Sequence, residues 1–308
     1  MLKEIRQKFL WLLGAAQILQ QQQRLINQQQ LQQKVLISIG NALKYSQTDS
    51  KEIKTSTTYK RCAEIISLLT PMDVIGGKYV RLGSDHDGGY VMLDNFLKQK
   101  VEAVYSFGVG KDISWDEAIA NYGADVFLFD HTVEQLPRNH PKCFFYKTGL
   151  TGKQKGNNSK TLSELITKNG HTACKNMIMK MDIEGCEWDV LSDVSSDVLS
   201  QFSQIIVEFH GISSSVYSKD YLKILEALKR INLTHQSVHV HGNNYLDVLW
   251  VDNLVVPNAL EVTYIRRADV NDNLVKNKRQ FPTELDQSNS SDFADIYLGD
   301  FSVKDNIE

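Results

Sequence analysis

The stretch Met177–Leu191, MIMKMDIEGCEWDVL, constrains the fold more than any other part of the chain. Met177, Ile178, Met179 and Met181 surround a single lysine, Lys180, and the run stops abruptly at Asp182, Glu184, Gly185 and Glu187. So short an apolar run, bounded by acid and glycine, fits a parallel strand buried on both faces whose carboxyl end opens into a site. In open α/β sheets ligands bind at that end. Three carboxylates within six residues repel one another unless a cation, a proton or solvent compensates. The alternative for these acids is a solvated helix N-terminus, where negative charge suits the helix dipole.

The same pattern recurs from about Thr58 onward, where short apolar runs alternate with amphipathic stretches, as in a doubly wound sheet. Strands are expected over Val101–Phe107, Val126–Phe129, Cys143–Lys147, Ile178–Met181 and Gln204–Val207, with two more near Gln236–Val240 and Leu260–Arg266. Helices are expected after a capping box at Ser114–Glu117, over Thr161–Lys168 with Gly170 closing it, and over Lys219–Ile231. The tail from Ala268 reads as polar and irregular.

Residues 1–45 differ in kind. Ile5, Leu12, Leu19 and Ile26 recur every seventh residue beside Phe9 and Ala16, and glutamine is dense from Gln17 to Gln33. A long helix with so narrow an apolar stripe needs a partner: a copy of itself in a coiled coil, the main domain, or a membrane surface touched through Leu10–Leu13. A homo-oligomeric coiled coil is the reading preferred here. Residues 46–58 read as a polar linker and 59–308 as one α/β domain.

Composition narrows the function. A net charge of −3 over 308 residues leaves no electrostatic footprint for nucleic acid. Cys62, Cys143, Cys174 and Cys186 are scattered, without a CxxC pair, which fits neither a disulfide framework nor a zinc site and suits a reducing cytoplasm. No apolar stretch approaches the ~18 residues that span a bilayer, so peripheral contact through the N-terminal helix is the expected limit of membrane association.

Ser106-Phe-Gly108-Val-Gly110 joins a strand to a helix, and Asp130 ends the next strand 22 residues after Gly108. Glycines at such a turn let backbone approach a ligand, and an acid about 20 residues on is placed to accept both ribose hydroxyls of a nucleoside cofactor. Counting from Gly108, the third glycine of a dinucleotide fingerprint is replaced by Ile113, with Asp112 before it. An acid there repels pyrophosphate but tolerates the ammonium of a methionine moiety. The cluster at Asp182 likewise suits a sulfonium or a metal. S-adenosylmethionine is therefore favoured over a nicotinamide dinucleotide.

DGGY at Asp87–Tyr90, SFGVG at Ser106–Gly110, KMDIEGCEWDVL at Lys180–Leu191, VEFHG at Val207–Gly211, HVHGNN at His239–Asn244 and FPTELDQSN at Phe281–Asn289 together resemble the FkbM-type methyltransferases. The resemblance spans about Tyr79 to Phe301, and its closest branch is the one with methyltransferase-like proteins and bacterial glycan O-methyltransferases. It implies a class I, Rossmann-like fold with a seven-stranded sheet and helices on both faces, here preceded by the long N-terminal helix. It also implies S-adenosylmethionine as donor and O-methylation of sugars or polyketides. Ser106 stands where class I methyltransferases frequently carry an acid. Related sugar O-methyltransferases place magnesium on carboxylates from two neighbouring strand ends, which implies Asp182 with Glu208 or His210 as ligands. The histidine makes manganese conceivable as well.

A sugar hydroxyl is too weak an acid to lose its proton unaided near neutral pH, so it needs a positioned base, a metal, or both. Asp182, Glu184 and His210 are the candidate catalytic groups, with Glu184 or His210 as base, and Glu187 reads as a helix cap. Asp87, Gly88, Gly89, Tyr90, Ser106, Gly108, Gly110, Asp130 and Asp182 are the candidate cofactor contacts. His239, His241, Asn243 and Asn244 could bind a glycan acceptor or form a polar hairpin. The expected protein is a cytoplasmic S-adenosylmethionine-dependent O-methyltransferase of a glycan or sugar-derived hydroxyl, oligomeric through residues 1–45. The other readings are a nicotinamide-dependent sugar oxidoreductase and a non-catalytic assembly factor with a degenerate domain.

Overall fold

A computed structural model describes residues 54–153 and 158–304. The heptad segment 1–45, with its expected helix, coiled coil and membrane contact, lies outside the described residues. Seven strands form the central sheet: β1 Ala103–Phe107, β2 Val126–Phe129, β3 Cys143–Tyr146, β4 Met177–Met181, β5 Phe202–His210, β6 His235–Gly242 and β7 Ala259–Arg266. Their spatial order is β6-β7-β5-β4-β1-β2-β3. β1 to β5 pair in parallel, and β7 runs antiparallel to both β5 and β6. This is the doubly wound order with one reversed strand inserted between the fifth and sixth, and its switch point lies between β1 and β4.

β4 shows why the sheet is buried on both sides. Met177, Met179 and Met181 pack into a core with helices α1 (Thr57–Leu69), α3 (Leu162–Lys168), α4 (Glu187–Asp193) and α5 (Asp220–Asn232). Ile178 faces the opposite layer, built by α2 (Ser114–Asn121) and the hairpin Tyr79–Leu82/Tyr90–Leu93. Burying each methionine contributes about 1.5–3 kcal/mol. α1 begins inside the segment expected to be linker, because the Ser56 side chain accepts from the Tyr59 amide and caps it. The capping box expected at Ser114 does not form. Ser114 is already helical, and its amide and hydroxyl both donate to Asp112 at 2.9 Å. A full capping box forms instead between Thr161 and Glu164 at the start of α3.

The polar tail is not loose. Asp286 accepts from Nε2 of His239 at 2.8 Å, His241 sits between Glu261 and Asp295, and Asn244 binds the Ser290 amide and carbonyl. Phe281, Ile296, Leu298 and Phe301 bury apolar surface alongside. Burial alone would raise the Asp286 carboxyl, but the hydrogen bond and charge of His239, with His241 and the Thr283 amide, hold it down to about 2. A depressed acid stabilises the fold above its unfolded value and loses that contribution as pH falls toward the folded one, here worth about 2 kcal/mol. Urea titrations of Asp286→Asn should therefore show a deficit of about 2 kcal/mol near neutral pH, narrowing below about pH 4. A pH-independent deficit would mean that the ion pair is not its source.

Candidate active site

The turns after β1, β2 and β4 enclose a cleft of about 350 Å³ at the carboxyl edge of the sheet. Gly108 and Gly110 have positive φ, +76° and +55°. A Cβ on Gly108 would lie 1.5 Å from the Asp182 carbonyl oxygen, so the close approach of β1 and β4 requires glycine there. Nothing lies within 4 Å of a Cβ on Gly110, which faces open cleft.

Asp130 sits at the tip of β2 as expected, but it has a local task. Its Oδ2 accepts from the Val109 and Gly110 amides at 2.9 and 3.0 Å, and its Oδ1 accepts from the amide and hydroxyl of Thr132. Burial opposes its ionisation, but these bonds outweigh burial and hold the carboxyl below its ordinary range. Asp112, also on the wall, is kept ionised in the same way by Ser114 and Ser84 against the cost of burial.

Asp87, Gly88 and Tyr90 border the cleft. Gly89 does not; a Cβ there would run into Arg81 and the Ser84 carbonyl, so its smallness serves the hairpin turn. Ser106 is fully buried and likewise off the cleft wall, a correction that follows from its place inside β1 with strands on both sides.

The acidic turn closes one end. Glu184 is in the left-handed region at φ +56°, a strain of about 1 kcal/mol, and its side chain is 87% exposed. Asp182 extends β4, with its amide donating to the Phe107 carbonyl, and is reached by the Tyr90 hydroxyl at 3.4 Å. Burial pushes the Asp182 carboxyl up to about 6, against the charges of Lys180 and His210. Lys180 is buried, donates to the Gly108 carbonyl and lies over the Tyr90 ring.

His210, at the end of β5, stands behind this wall. Its Nε2 is 3.6 Å from Glu184, 3.7 Å from Glu208 and 3.9 Å from Asp182, while Nδ1 is 3.1 Å from Glu187. Burial disfavours the imidazolium, yet the Glu187 hydrogen bond and the surrounding carboxylates overcome it and raise the histidine to about 9. A lone pair on Nε2 facing three carboxylates is repelled unless a proton or a cation lies between them. Asp182, Glu184 and His210 each offer one ligand atom, all within 4.8 Å of one another. Glu208 is a poorer ligand than expected. It is 2% exposed, accepts from Asn243 at 2.6 Å, and is driven well above the usual carboxylate range by burial and by Asp182 and Glu261.

His239, His241, Asn243 and Asn244 are all buried and off the cleft wall, with their hydrogen bonds spent on Asp286, Glu261, Asp295, Glu208 and the tail backbone. Sequence reading passed over Lys111, His131, Thr132, Gly149 and Leu150, all on the cleft wall. His131 and Thr132 follow Asp130 directly, so the carboxyl-edge rule that found Asp130 also reaches them.

A doubly wound sheet whose carboxyl edge carries a glycine turn, a β2 acid and an acid-lined cleft defines a Rossmann-like enzyme domain for a nucleoside cofactor. Residues 69–252 match the model of a methyltransferase-domain family, and the chain belongs to that family. A methyltransferase domain implies S-adenosylmethionine as the methyl donor. No curated protein matches this sequence. Among solved structures, the chain is similar to a variant of the 16S rRNA (adenine(1408)-N(1))-methyltransferase from Catenulisporales acidiphilia, with 9% identity, 61% of this chain and 98% of that chain covered, and a TM-score of 0.28. No helix among the described residues is long and apolar enough to cross a membrane.

Proposed function

We propose that this methyltransferase is an O-methyltransferase of the FkbM type that acts on a hydroxyl of a glycan or sugar-derived acceptor, assisted by a divalent cation. The observation that carries the proposal is the convergence of Asp182 and Glu184, on the cleft wall, with His210 behind them. An amine or a ring nitrogen already offers a lone pair; a sugar hydroxyl needs its proton removed, and this cluster is equipped for that.

The residues fit the donor. Asp87, Asp112, Asp130 and Asp182 surround the cleft with negative charge, which suits a sulfonium and an ammonium and opposes pyrophosphate. Gly110 leaves the approach open, and the Thr132 hydroxyl is the donor that ribose hydroxyls would replace on Asp130. Bound there, S-adenosylmethionine supplies a methyl carbon made electrophilic by its positively charged sulfur.

Asp182, Glu184 and the Nε2 of His210 would hold magnesium or manganese, which lowers the pKa of a bound hydroxyl. Asp182, half-buried at the β4 tip, orients the acceptor oxygen. Glu184, exposed on the strained turn, takes the hydroxyl proton to solvent.

Calorimetry should show binding of S-adenosylhomocysteine and none of NAD; the reverse would overturn the donor assignment. Glycans incubated with enzyme and isotope-labelled donor should gain one methyl by mass spectrometry, and chelator should suppress the gain. Undiminished transfer with chelator would remove the cation from the reading, and methylation confined to amines would remove the hydroxyl.

A further inference from the structure

Of the three acids between residues 182 and 187, Glu187 alone is fully buried, and it is not on the cleft wall. Its Oε1 accepts from the Ile183 amide at 2.9 Å, from the Gly185 amide at 3.2 Å and from Nδ1 of His210 at 3.1 Å. The neighbouring side chain acts on the same histidine: Trp188 donates from Nε1 to the His210 carbonyl at 2.7 Å while stacking on Phe209. Two consecutive residues of α4 thus fix the ring and the backbone of His210, and Glu187 ties both to the turn that carries Glu184.

We propose that Glu187 is the positioning residue of the site, holding the His210 imidazole with Nδ1 as donor so that Nε2 is presented to Asp182 and Glu184. The inference rests on the cation-and-base reading above. A helix cap alone would explain the two amide contacts but not the third. The carboxylate's Oε2 is buried without a hydrogen-bond partner among the described residues, so the charge is incompletely solvated. Burying a carboxylate in that way is costly unless its other oxygen is fully bonded, and the His210 ring supplies the third bond to Oε1. A partner on the outer ring nitrogen sets the tautomer and raises the basicity of the inner one.

Two substitutions separate charge from acceptor. Glu187→Gln keeps an oxygen for the Ile183 and Gly185 amides and removes only the charge. It should weaken manganese binding, measured by calorimetry on the full chain, about 10–100-fold. In a His210→Ala background the same substitution should change manganese affinity hardly at all, because its effect passes through the ring. Glu187→Met removes the acceptor. Nitrogen-15 spectra of the histidine side chains, recorded above the His210 titration, should show the Nδ1–H form in the parent and its loss in this variant.

Wild-type manganese affinity in Glu187→Gln, or an equal loss with and without His210, would overturn the proposal. So would an Nε2–H form in the parent. If the parent takes up no manganese, the cation half of the functional reading falls and the tautomer spectrum alone decides the role of Glu187. S-adenosylhomocysteine binding, titrated separately, reports on the donor reading whatever these arms return.

Discussion

Replacing Asp182 by asparagine should abolish methyl transfer while making the cation-free protein more stable. The carboxylate stands where β4 opens into the cleft, and burial raises it to about 6. An acid whose folded pKa lies above its unfolded value is penalised in the folded state once ionised. The penalty is absent below the unfolded value, grows between about pH 4 and pH 6, and is complete at neutral pH. Asparagine is close in shape and carries no charge, so it should relieve about 2 kcal/mol there, or roughly 5 °C of melting temperature in a domain of this size. Turnover should fall on the order of 10³-fold, because a ligand and an orienting group are lost together. Scanning calorimetry and a labelled-donor assay on the same preparation measure both halves. Unchanged turnover would end the metal-and-base proposal. A lower melting temperature would show that the carboxylate is already compensated by a partner not yet counted.

The second large effect is expected at Gly108. A methyl group there would sit 1.5 Å from a backbone oxygen, at φ +76°, so no rotation of a side chain can relieve it. The ends of β1 and β4 must separate, which also displaces the Asp182 amide from the Phe107 carbonyl. Gly108→Ala should cost about 3 kcal/mol of stability and weaken S-adenosylhomocysteine binding on the order of 100-fold. Gly110→Ala provides the control. Its Cβ meets nothing within 4 Å, so only the left-handed backbone, about 1 kcal/mol, should be felt in folding. Equal losses at the two positions in urea titrations would mean that the β1–β4 contact is not what fixes the turn.

The strands that sequence reveals best are those whose two faces see the same environment. Val126–Phe129 is bounded as its apolar run suggests, since β2 is apolar throughout and stops at Asp130. β5 begins two residues before the expected run Gln204–Val207 and ends three after it, and at its start the polar Ser203 and Gln204 are satisfied inside the protein, by the Met177 carbonyl and by the backbone of Leu93. Pattern reading takes such residues for strand ends. The cleft was legible to the extent that it lies at strand tips: that rule reaches Asp130 and Asp182 on its wall, and Glu208 and His210 behind it. What escaped was how the same residues are covered. His239, His241 and Asn244 read as acceptor contacts or a polar hairpin because the segment that binds them lies more than forty residues further along the chain. Only the folded tail shows which polar groups lose their solvent. The partnership of Glu187 with His210 was hidden for the same reason: it joins a helix start to the end of the adjacent strand, and no local spacing encodes it.

The bonds from Asp130 to the Val109 and Gly110 amides bear on the thermodynamics of ligand entry. The phosphate-cradle type of glycine turn often acquires its shape only when its ligand supplies the acceptors. Here the protein supplies them itself, so the turn's conformational entropy is lost during folding and not at the moment of binding. The receptor is preorganised, and adenosine and the intact donor should both bind without first ordering this loop.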